Sequence, residues 1–305
     1  MTDGEQVEQL VRRLRAAGCV FAEEEAALIL EQAALVDGAA DGGAAEVDRL
    51  ATAREGGLPL EQVLGWAELA GVRVAVEPGV FVPRRRTELM VAEAVRLALA
   101  QASGHSRPPG RRVAGPDRPL SGPGERGAAG AAGAVVLVDL CCGSGAVALA
   151  VAHALGNAGV AVDVTAADVD PVAVRCARRN LPGARVLRSD LVDALPDDLR
   201  GRVDVLTANV PYVPTAALPL MPREAREHEP RLSLDGGADG LAVLRRVAAV
   251  APIWLAPGGT LLVETSERQQ PAAVAALEHA GLRGRVRTDD DLGAVVVLGT
   301  RPPLS

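Results

Sequence analysis

The chain has 305 residues, of which 49% are hydrophobic and only 2% are aromatic. This length supports a large core with a small satellite domain, and the scarcity of aromatic rings disfavours a surface that stacks nucleic-acid bases. The formal net charge of −7 argues against a general nucleic-acid surface and leaves only a local basic patch open. No apolar run reaches the length of a membrane span, and the acidic, polar start MTDGEQVEQL is not a signal peptide.

The four cysteines, Cys19, Cys141, Cys142 and Cys176, lack the spacing of a zinc site. We interpret them as reduced, packed thiols and predict a cytoplasmic protein without a bound metal. We also expect a monomer that has no membrane partner.

Three helical patterns occupy the N-terminal part of the chain. The first, EQVEQLVRRLRAAG, has apolar residues at three- and four-residue spacing, and AEEEAALILEQAALV begins with acidic residues that suit the helix dipole. The third is AAEVDRLATAREGG. We predict a helical domain over residues 1–68, and the pattern fits both a bundle without chemistry and a substrate-docking domain.

The next segment, LAGVRVAVEPGVFV, changes from a helical period to strict alternation. Val72, Val74 and Val76 alternate with other residues, and Pro78-Gly79 follows as a turn. We therefore predict a β-hairpin linker over residues 69–83.

A second domain is predicted over residues 84–305, beginning with the helix PRRRTELMVAEAVRLALAQ. It contains a long segment, 102–133, that is rich in Gly, Pro, Ala and Arg and nearly devoid of large apolar residues. Such a segment cannot bury enough surface to offset the entropy of ordering. We predict a disordered insertion, with a basic binding arm as the alternative.

From residue 134 onward strand and helix patterns alternate, which predicts an α/β fold with a mostly parallel sheet. AVVLVDL is a continuous apolar strand, and LRGRVRTDDDLGAVVVLGTR closes the domain as an antiparallel strand pair. Ligands of such sheets bind at the carboxyl ends of the strands, so the residues at these ends are the candidate site.

The first strand end lies in VDLCCGSGAVALA, where the strand stops at Asp139 and a helix follows. Gly143 and Gly145 predict a tight turn that lets the backbone approach a ligand closely. The turn lacks the full G-x-G-x-x-G spacing of dinucleotide folds. Taken alone, this pattern is compatible with a nucleotide site or with a tight turn only.

The next two strands also end on acids. Asp168, in AADVD, can accept hydrogen bonds from both ribose hydroxyls of a nucleoside cofactor, whereas Asp170 before Pro171 is a good helix cap. Asp190, in LRSDLVDAL, ends the third strand, where an acid of a nucleoside-cofactor enzyme can accept a hydrogen bond from the adenine amino group; a loop aspartate without this role is the alternative. Together with the glycine turn, these two acids favour S-adenosylmethionine over NAD.

The fourth strand ends on VDVLTANVPYVP, and this segment suits a planar NH2 group. Such a nitrogen is a poor nucleophile because its lone pair is delocalised. The Asn209 side-chain oxygen and the Val210 carbonyl can accept its two N–H groups and stabilise the positive charge that develops there. Pro211 stiffens the turn, and Tyr212 can lie against the planar group.

The combination of VDLCCGSGAVALA, AADVD, RSD and NVPY resembles the class I S-adenosylmethionine-dependent methyltransferases with an (Asn/Asp)-Pro-Pro-Tyr motif. PLEQVLGWAELAGVRVAVEPGVFVPRRRTELMV and HEPRLSLDGGADGLAVLRRV are similar to segments of the HemK/PrmC-type release-factor glutamine methyltransferases. The resemblance implies a Rossmann-like, mostly parallel seven-stranded sheet with antiparallel final strands, preceded by a small helical domain.

The resemblance also implies methyl transfer from S-adenosylmethionine to the side-chain amide nitrogen of a glutamine in a protein, in the family's best-known case the GGQ glutamine of peptide chain release factors. The expected catalytic residues are Asn209, Pro211 and Tyr212. The residues expected to bind the substrate are Asn209, Val210, Pro211, Tyr212, Thr87 and Glu88. The residues expected to bind the cofactor are Asp139, Cys141, Cys142, Gly143, Ser144, Gly145, Asp168, Asp190, Leu191 and Asn209.

The sequence departs from the family pattern in three places. Val210 replaces the first proline of the usual Asn-Pro-Pro-Tyr, although its carbonyl keeps the acceptor. Cys141 and Cys142 stand where glycine and a small residue are usual, and the insertion 102–133 is additional. These departures indicate a divergent branch of the family.

Three other functions use similar residues. An adenine-N6 nucleic-acid methyltransferase would need basic grooves and stacking aromatics, which the composition disfavours. A small-molecule N-methyltransferase would use the helical domain as a lid. A binding protein that has lost catalysis through Val210 would bind the cofactor without turnover.

Overall fold

The computed structural model describes residues 3–35, 42–104 and 133–303. The predicted insertion at 102–133 therefore lies, apart from its two ends, outside the described residues. Its first residues belong to a helix that continues to Gly104. No helix of the described ranges combines the length and the apolar character needed to cross a bilayer.

The N-terminal helices pack around one small core. This core contains Leu10, Leu14, Ile29, Leu50 and Val63, all buried, and it confirms the three helical patterns read from the sequence. The short fourth helix was not predicted. The helices are α1 (Asp3–Ala16), α2 (Ala22–Ala34), α3 (Gly42–Glu55) and α4 (Leu60–Leu64).

A β-hairpin follows, but its position differs from the prediction. Strand β1 (Trp66–Leu69) pairs antiparallel with β2 (Val72–Ala75), and the turn is formed by Ala70 and Gly71 rather than by Pro78-Gly79. Both turn residues have positive φ, 51° and 73°, as a type I′ hairpin turn requires. The prediction of a hairpin at 69–83 is therefore wrong in its bounds and its turn. The alternating valines belong to the second strand of the hairpin, after the turn, and not to its first strand.

The remaining described residues form a seven-stranded sheet with helices on both faces. The strand order is β5-β4-β3-β6-β7-β9-β8, parallel except for β9, which runs antiparallel to β7 and β8. This confirms the predicted fold class. The elements are α5 (Glu88–Gly104), β3 (Val135–Leu140), α6 (Ala146–Asn157), β4 (Val162–Asp168), α7 (Pro171–Asn180), β5 (Arg185–Arg188), β6 (Val203–Ala208), α8 (Arg223–His228), α9 (Ala242–Trp254), β7 (Leu255–Thr265), α10 (Gln270–His279), β8 (Arg283–Asp289) and β9 (Ala294–Thr300).

Strand β3 lies in the interior of the sheet, between β4 and β6. The register aligns Leu140 with Ala167 on one side and with Ala208 on the other. The residues that follow these strands therefore meet at one edge. The strand order also reverses here, and such a switch point is where open α/β sheets bind ligands.

Candidate active site

A large cleft opens at this edge, and Asp139 lies at its base. The carboxylate is 1% exposed, and its Oδ1 accepts a 2.7 Å hydrogen bond from the Thr207 hydroxyl. Its buried Oδ2 has no hydrogen-bond partner of acceptable geometry among the described residues. Burial raises the pKa of Asp139 to about 7, and the Thr207 hydroxyl and the Ala148 amide offset part of the rise. A buried, unpaired acceptor in a cleft suits a cationic ligand.

The glycine turn is tied to Asp168 at the end of β4. The Gly143 amide donates to Asp168 Oδ2 at 2.9 Å, and the Asp170 amide donates to Oδ1 at 2.9 Å. Burial raises the pKa of Asp168. Asp170 itself caps α7 by accepting from the Val172 amide, as predicted. Asp168 thus fixes the turn, and its oxygens keep lone pairs for further donors.

Two residues of the cleft have strained backbones. Cys141 has φ 53° and Leu191 has φ 50°, a left-handed conformation that favours glycine. Both line the cleft, and local strain of this kind is concentrated at functional sites. The position where the family usually has glycine is thus one where this chain holds a cysteine in a glycine-like conformation.

Replacing Cys141 by glycine is expected to raise Tm by about 2–4 °C, because it removes roughly 1 kcal/mol of left-handed strain. Cys141→Val should lower Tm, since a β-branched residue tolerates this conformation least. Thermal unfolding followed by circular dichroism measures both changes. Ala70→Gly, with φ 51° in the exposed hairpin turn, is the matched control. A lower Tm for Cys141→Gly would mean that packing of the thiol outweighs the strain.

Asp190 is a half-exposed acid of the cleft lining. Its side chain is 50% exposed, and its Oδ2 accepts a 2.8 Å hydrogen bond from Arg246 of α9. The carboxylate lines the cleft, so it is accessible to a ligand from the open side. Arg246 also lines the cleft and holds the carboxylate in position.

The segment Asn209–Tyr212 follows β6 and lines the cleft. Asn209 Nδ2 faces Thr87 Oγ1 at 3.4 Å, and Asn209 Oδ1 accepts no hydrogen bond within the described ranges. The Val210 carbonyl also accepts no hydrogen bond within the described ranges. The Val210 side chain is buried. Two acceptors without partners therefore adjoin one another at the end of β6.

Tyr212 is fixed at both its side chain and its backbone. Its hydroxyl donates to Glu264 Oε1 at 3.0 Å, and its carbonyl accepts from Gln269 Nε2 at 2.9 Å. Burial and the neighbouring Glu264 raise the pKa of Tyr212, so the phenol remains a donor. The Arg86 guanidinium lies 5.7 Å from the ring centroid.

Glycines 236 and 240 let a second loop pack directly on this segment. A Cβ on Gly236 would lie 2.7 Å from the Pro211 oxygen, and one on Gly240 would lie 2.2 Å from the Tyr212 oxygen. Gly240 also has φ +77°, which disfavours any side chain. The DGGADG sequence therefore has the residues that the close approach requires.

Gly240→Ala is expected to lower the free energy of unfolding by about 3 kcal/mol or more, because the clash adds to roughly 1–2 kcal/mol of left-handed strain. Urea unfolding measures the change, and methyl transfer should fall with it. Gly159→Ala is the control, since Gly159 has φ +74° and no atom within 4 Å of the added Cβ. Equal losses in the two variants would exclude the packing contact as a cause.

Glu264 on β7 was missed by the sequence analysis. It is 1% exposed and accepts hydrogen bonds from Arg86 Nε at 3.0 Å, Thr87 Oγ1 at 2.7 Å and the Tyr212 hydroxyl. The available signal was one acid at the end of the apolar run LLVE, which reads as a strand. A second ion pair with a buried carboxylate, Arg84 with Glu229, joins the segment before α5 to the segment after α8.

Most of the predicted site residues line the cleft, but two do not. Gly145 caps α6 with φ +79°, and a Cβ there would lie 2.8 Å from Leu181, so it serves the packing of α6. Glu88 begins α5 outside the lining. The predicted residues that do line the cleft are Thr87, Asp139, Cys141, Cys142, Gly143, Ser144, Asp168, Asp190, Leu191, Asn209, Val210, Pro211 and Tyr212.

Known proteins similar to this chain are methyltransferases. Residues 129–219 match the family described as ribosomal protein L11 methyltransferase (PrmA). The release factor glutamine methyltransferase of Mycobacterium tuberculosis is 32% identical over 246 residues, which are 80% of this chain and 70% of that relative.

Two further similarities lie in the same class. The 4-amino-L-phenylalanine/4-methylamino-L-phenylalanine methyltransferase of Streptomyces pristinaespiralis is 34% identical over 225 residues, covering 73% of this chain and 65% of the relative. A solved protein-(glutamine-N5) methyltransferase of Alicyclobacillus acidocaldarius has 23% identity and a TM-score of 0.39, covering 75% of this chain and 99% of the other.

The sheet order, the antiparallel final strands and the cleft at the switch point define a class I S-adenosylmethionine-dependent methyltransferase. Within that class, the identity to the Mycobacterium tuberculosis relative covers four-fifths of the chain. The chain belongs to the release factor glutamine methyltransferase family, which confirms the resemblance carried by its motifs.

Proposed function

We propose that this enzyme transfers a methyl group from S-adenosylmethionine to the side-chain amide nitrogen of a glutamine in a peptide chain release factor. Family membership supports the substrate class. The observation that carries the chemistry is the pair of unpartnered acceptors, Asn209 Oδ1 and the Val210 carbonyl, at the strand end that adjoins the cofactor side.

The cofactor side fits S-adenosylmethionine. When bound, this cofactor supplies an electrophilic methyl group and carries positive charge. The buried, unpaired Asp139 Oδ2 suits a cation, and Asp168 has acceptor capacity left for the ribose hydroxyls. We propose that the glycine turn at Gly143 and the carboxylate of Asp190 complete the cofactor side.

The substrate side orients an amide. A glutamine NH2 group has two N–H donors, and the two unpartnered acceptors can take one each. Holding both hydrogens in place fixes the plane of the amide, which directs the nitrogen lone pair toward the methyl group and stabilises the positive charge that develops on nitrogen. Tyr212 is held by hydrogen bonds to Glu264 and Gln269, and its side chain lies beside the position proposed for the amide.

Valine at position 210 is compatible with this role. Its carbonyl provides the acceptor that a proline would provide, and its N–H makes no hydrogen bond in the described chain. The side chain is 2% exposed and packs in the core beneath the cleft. We therefore propose that the substitution keeps the acceptor clamp, meaning Asn209 Oδ1 together with the Val210 carbonyl, and does not disable the enzyme.

We also propose that the helical region 1–68 is a docking domain for the protein substrate. Arg54 of α3 pairs with Glu25 of α2 at 2.6 Å and reaches Glu224 of α8 at 3.1 Å. The segments flanking α8 contribute Met221 and Pro230 to the cleft lining. A helical domain that contacts α8, whose flanking segments line the cleft, suits a substrate larger than one side chain.

The test is incubation of the purified enzyme and deuterated S-adenosylmethionine with a release factor, followed by peptide mass spectrometry. The expected result is one labelled methyl group on the glutamine of the GGQ motif. A release factor with alanine at that glutamine is the control and should take up no label. Absence of label from the intact factor would contradict the proposal.

A second candidate is N-methylation of an aromatic amine, since a relative at 34% identity is named for 4-amino-L-phenylalanine. An aniline NH2 group presents the same two donors to the clamp. Parallel reactions with 4-amino-L-phenylalanine and with single-stranded DNA distinguish the candidates by the acceptor that takes the label. Faster transfer to the amino acid than to the release factor would favour this second function.

A further inference from the structure

Glu264 is a buried acceptor surrounded by donors. Arg86 donates to its Oε1 at 3.0 Å, and the Tyr212 hydroxyl donates to the same oxygen at 3.0 Å. Thr87 Oγ1 lies 2.7 Å from the other oxygen, Oε2. Because a guanidinium can only donate, the carboxylate must accept, and it takes the single hydroxyl proton of Thr87 as well.

That proton determines what Thr87 can offer to Asn209. A threonine hydroxyl has one proton and two lone pairs, so Thr87 Oγ1 can only accept on the side that faces Asn209. The atom of Asn209 at 3.4 Å from it must then be the donor Nδ2. This contact is long and contributes little energy, but the reverse arrangement would set two acceptors against each other.

We propose that Glu264 is a positioning residue that acts through Thr87 to hold the Asn209 amide with its Oδ1 toward the substrate. An amide group carries its oxygen and nitrogen on opposite sides, so fixing Nδ2 against Thr87 directs Oδ1 away from it. The other orientation would place an NH2 group against the substrate NH2, which is repulsive. This inference rests on the proposed function and adds the group that selects the productive orientation.

Glu264→Gln reverses the polarity of this chain of contacts. The new amide must keep its oxygen toward the Arg86 and Tyr212 donors, so its NH2 faces Thr87. Thr87 then accepts from residue 264 and sends its proton to Asn209, which turns its oxygen inward. We expect kcat to fall roughly 100-fold, the size of loss typical of removing one positioned hydrogen-bonding group from an active site, with cofactor affinity unchanged within about threefold.

The hydrogen-bond chain from Glu264 through the Thr87 hydroxyl to Asn209 is the relay. Thr87→Val removes the hydroxyl and so breaks this relay without reversing its polarity. The Asn209 amide then loses its preferred orientation and also its fixed position, and kcat should fall about tenfold. The Glu264→Gln/Thr87→Val double variant should match Thr87→Val alone, because no hydroxyl remains to hold the wrong orientation. Thr87→Ser, which restores the hydroxyl, should recover most of the turnover lost in Thr87→Val.

The experiment measures kcat and KM for the release factor in these variants and cofactor affinity by calorimetry. Thr260→Val is the control: Thr260 is a 2% exposed threonine on the same strand that contacts Thr300 and not Asn209. A double variant slower than Glu264→Gln alone would overturn the relay, as would Thr87→Val equal to wild type. If the wild-type enzyme methylates the release factor, either result contradicts the relay alone and leaves the proposed function unaffected.

A second measurement is independent of turnover. In protein labelled with 15N-asparagine and methyl-labelled threonine, the Asn209 NH2 protons should show a nuclear Overhauser effect to the Thr87 methyl group. The effect should weaken in Glu264→Gln, where the amide has turned. Its absence in the wild-type protein would overturn the relay, whichever substrate the enzyme methylates.

Discussion

Asn209→Ala is expected to reduce methyl transfer by roughly 100-fold or more while changing the affinity for S-adenosylmethionine only a few-fold. The side chain supplies one of the two acceptors at the end of β6, and alanine leaves the Val210 carbonyl alone. One acceptor cannot fix both hydrogens of an NH2 group. The nitrogen lone pair is then no longer held in line with the methyl group, and the positive charge that develops on nitrogen loses one acceptor.

Single-turnover assays with labelled cofactor measure the rate, and calorimetry measures the affinity. Asn157→Ala is the control, because Asn157 lies exposed at the end of α6 and outside the cleft lining. Unchanged turnover in Asn209→Ala would refute the clamp. A large loss of cofactor affinity would instead assign Asn209 to the cofactor side.

The fold could be predicted because its determinants are local. Alternating strand and helix periods, and the acid or amide that ends four successive strands, specify a parallel sheet and one functional edge. Asp139, Asp168 and Asn209 lie where that reasoning puts them. The turn of the hairpin was predicted wrongly because Pro78-Gly79 is the stronger turn signal in the sequence. The actual turn at Ala70-Gly71 holds an alanine at positive φ, which a sequence pattern does not predict.

The contacts between distant segments could not be predicted in this way. Glu264 reaches Thr87 across 177 positions and Tyr212 across 52, and no periodicity encodes such pairs. The positive φ of Cys141 is also invisible in a sequence that shows only a cysteine where glycine is usual. The sequence therefore predicts which strand ends meet at the cleft. The side chains that orient the residues at these ends are brought there by tertiary packing, which the sequence pattern does not show.

Asp139 should make cofactor binding depend on pH in a defined direction. Its pKa in the protein without ligand is raised to about 7 by burial, whereas a cationic ligand favours the ionised carboxylate. Binding therefore requires loss of the proton below that pKa, and the affinity for S-adenosylmethionine should rise about tenfold per pH unit up to pH 7 and then level off. Calorimetry between about pH 5.5 and about pH 7.5 measures this dependence.

Asp139→Asn separates this carboxylate from the other acids of the cleft. The variant keeps an acceptor for Thr207 but cannot ionise, so affinity at pH 7.5 should fall about 100-fold, in line with roughly 2–5 kcal/mol for a broken buried charge pair. The remaining affinity should be nearly independent of pH over this window. Asp163→Asn on β4 is the control, since Asp163 lies outside the cleft lining. A pH dependence that persists in Asp139→Asn would assign the titration to Asp168, whose pKa burial also raises, and would remove Asp139 from the cation site.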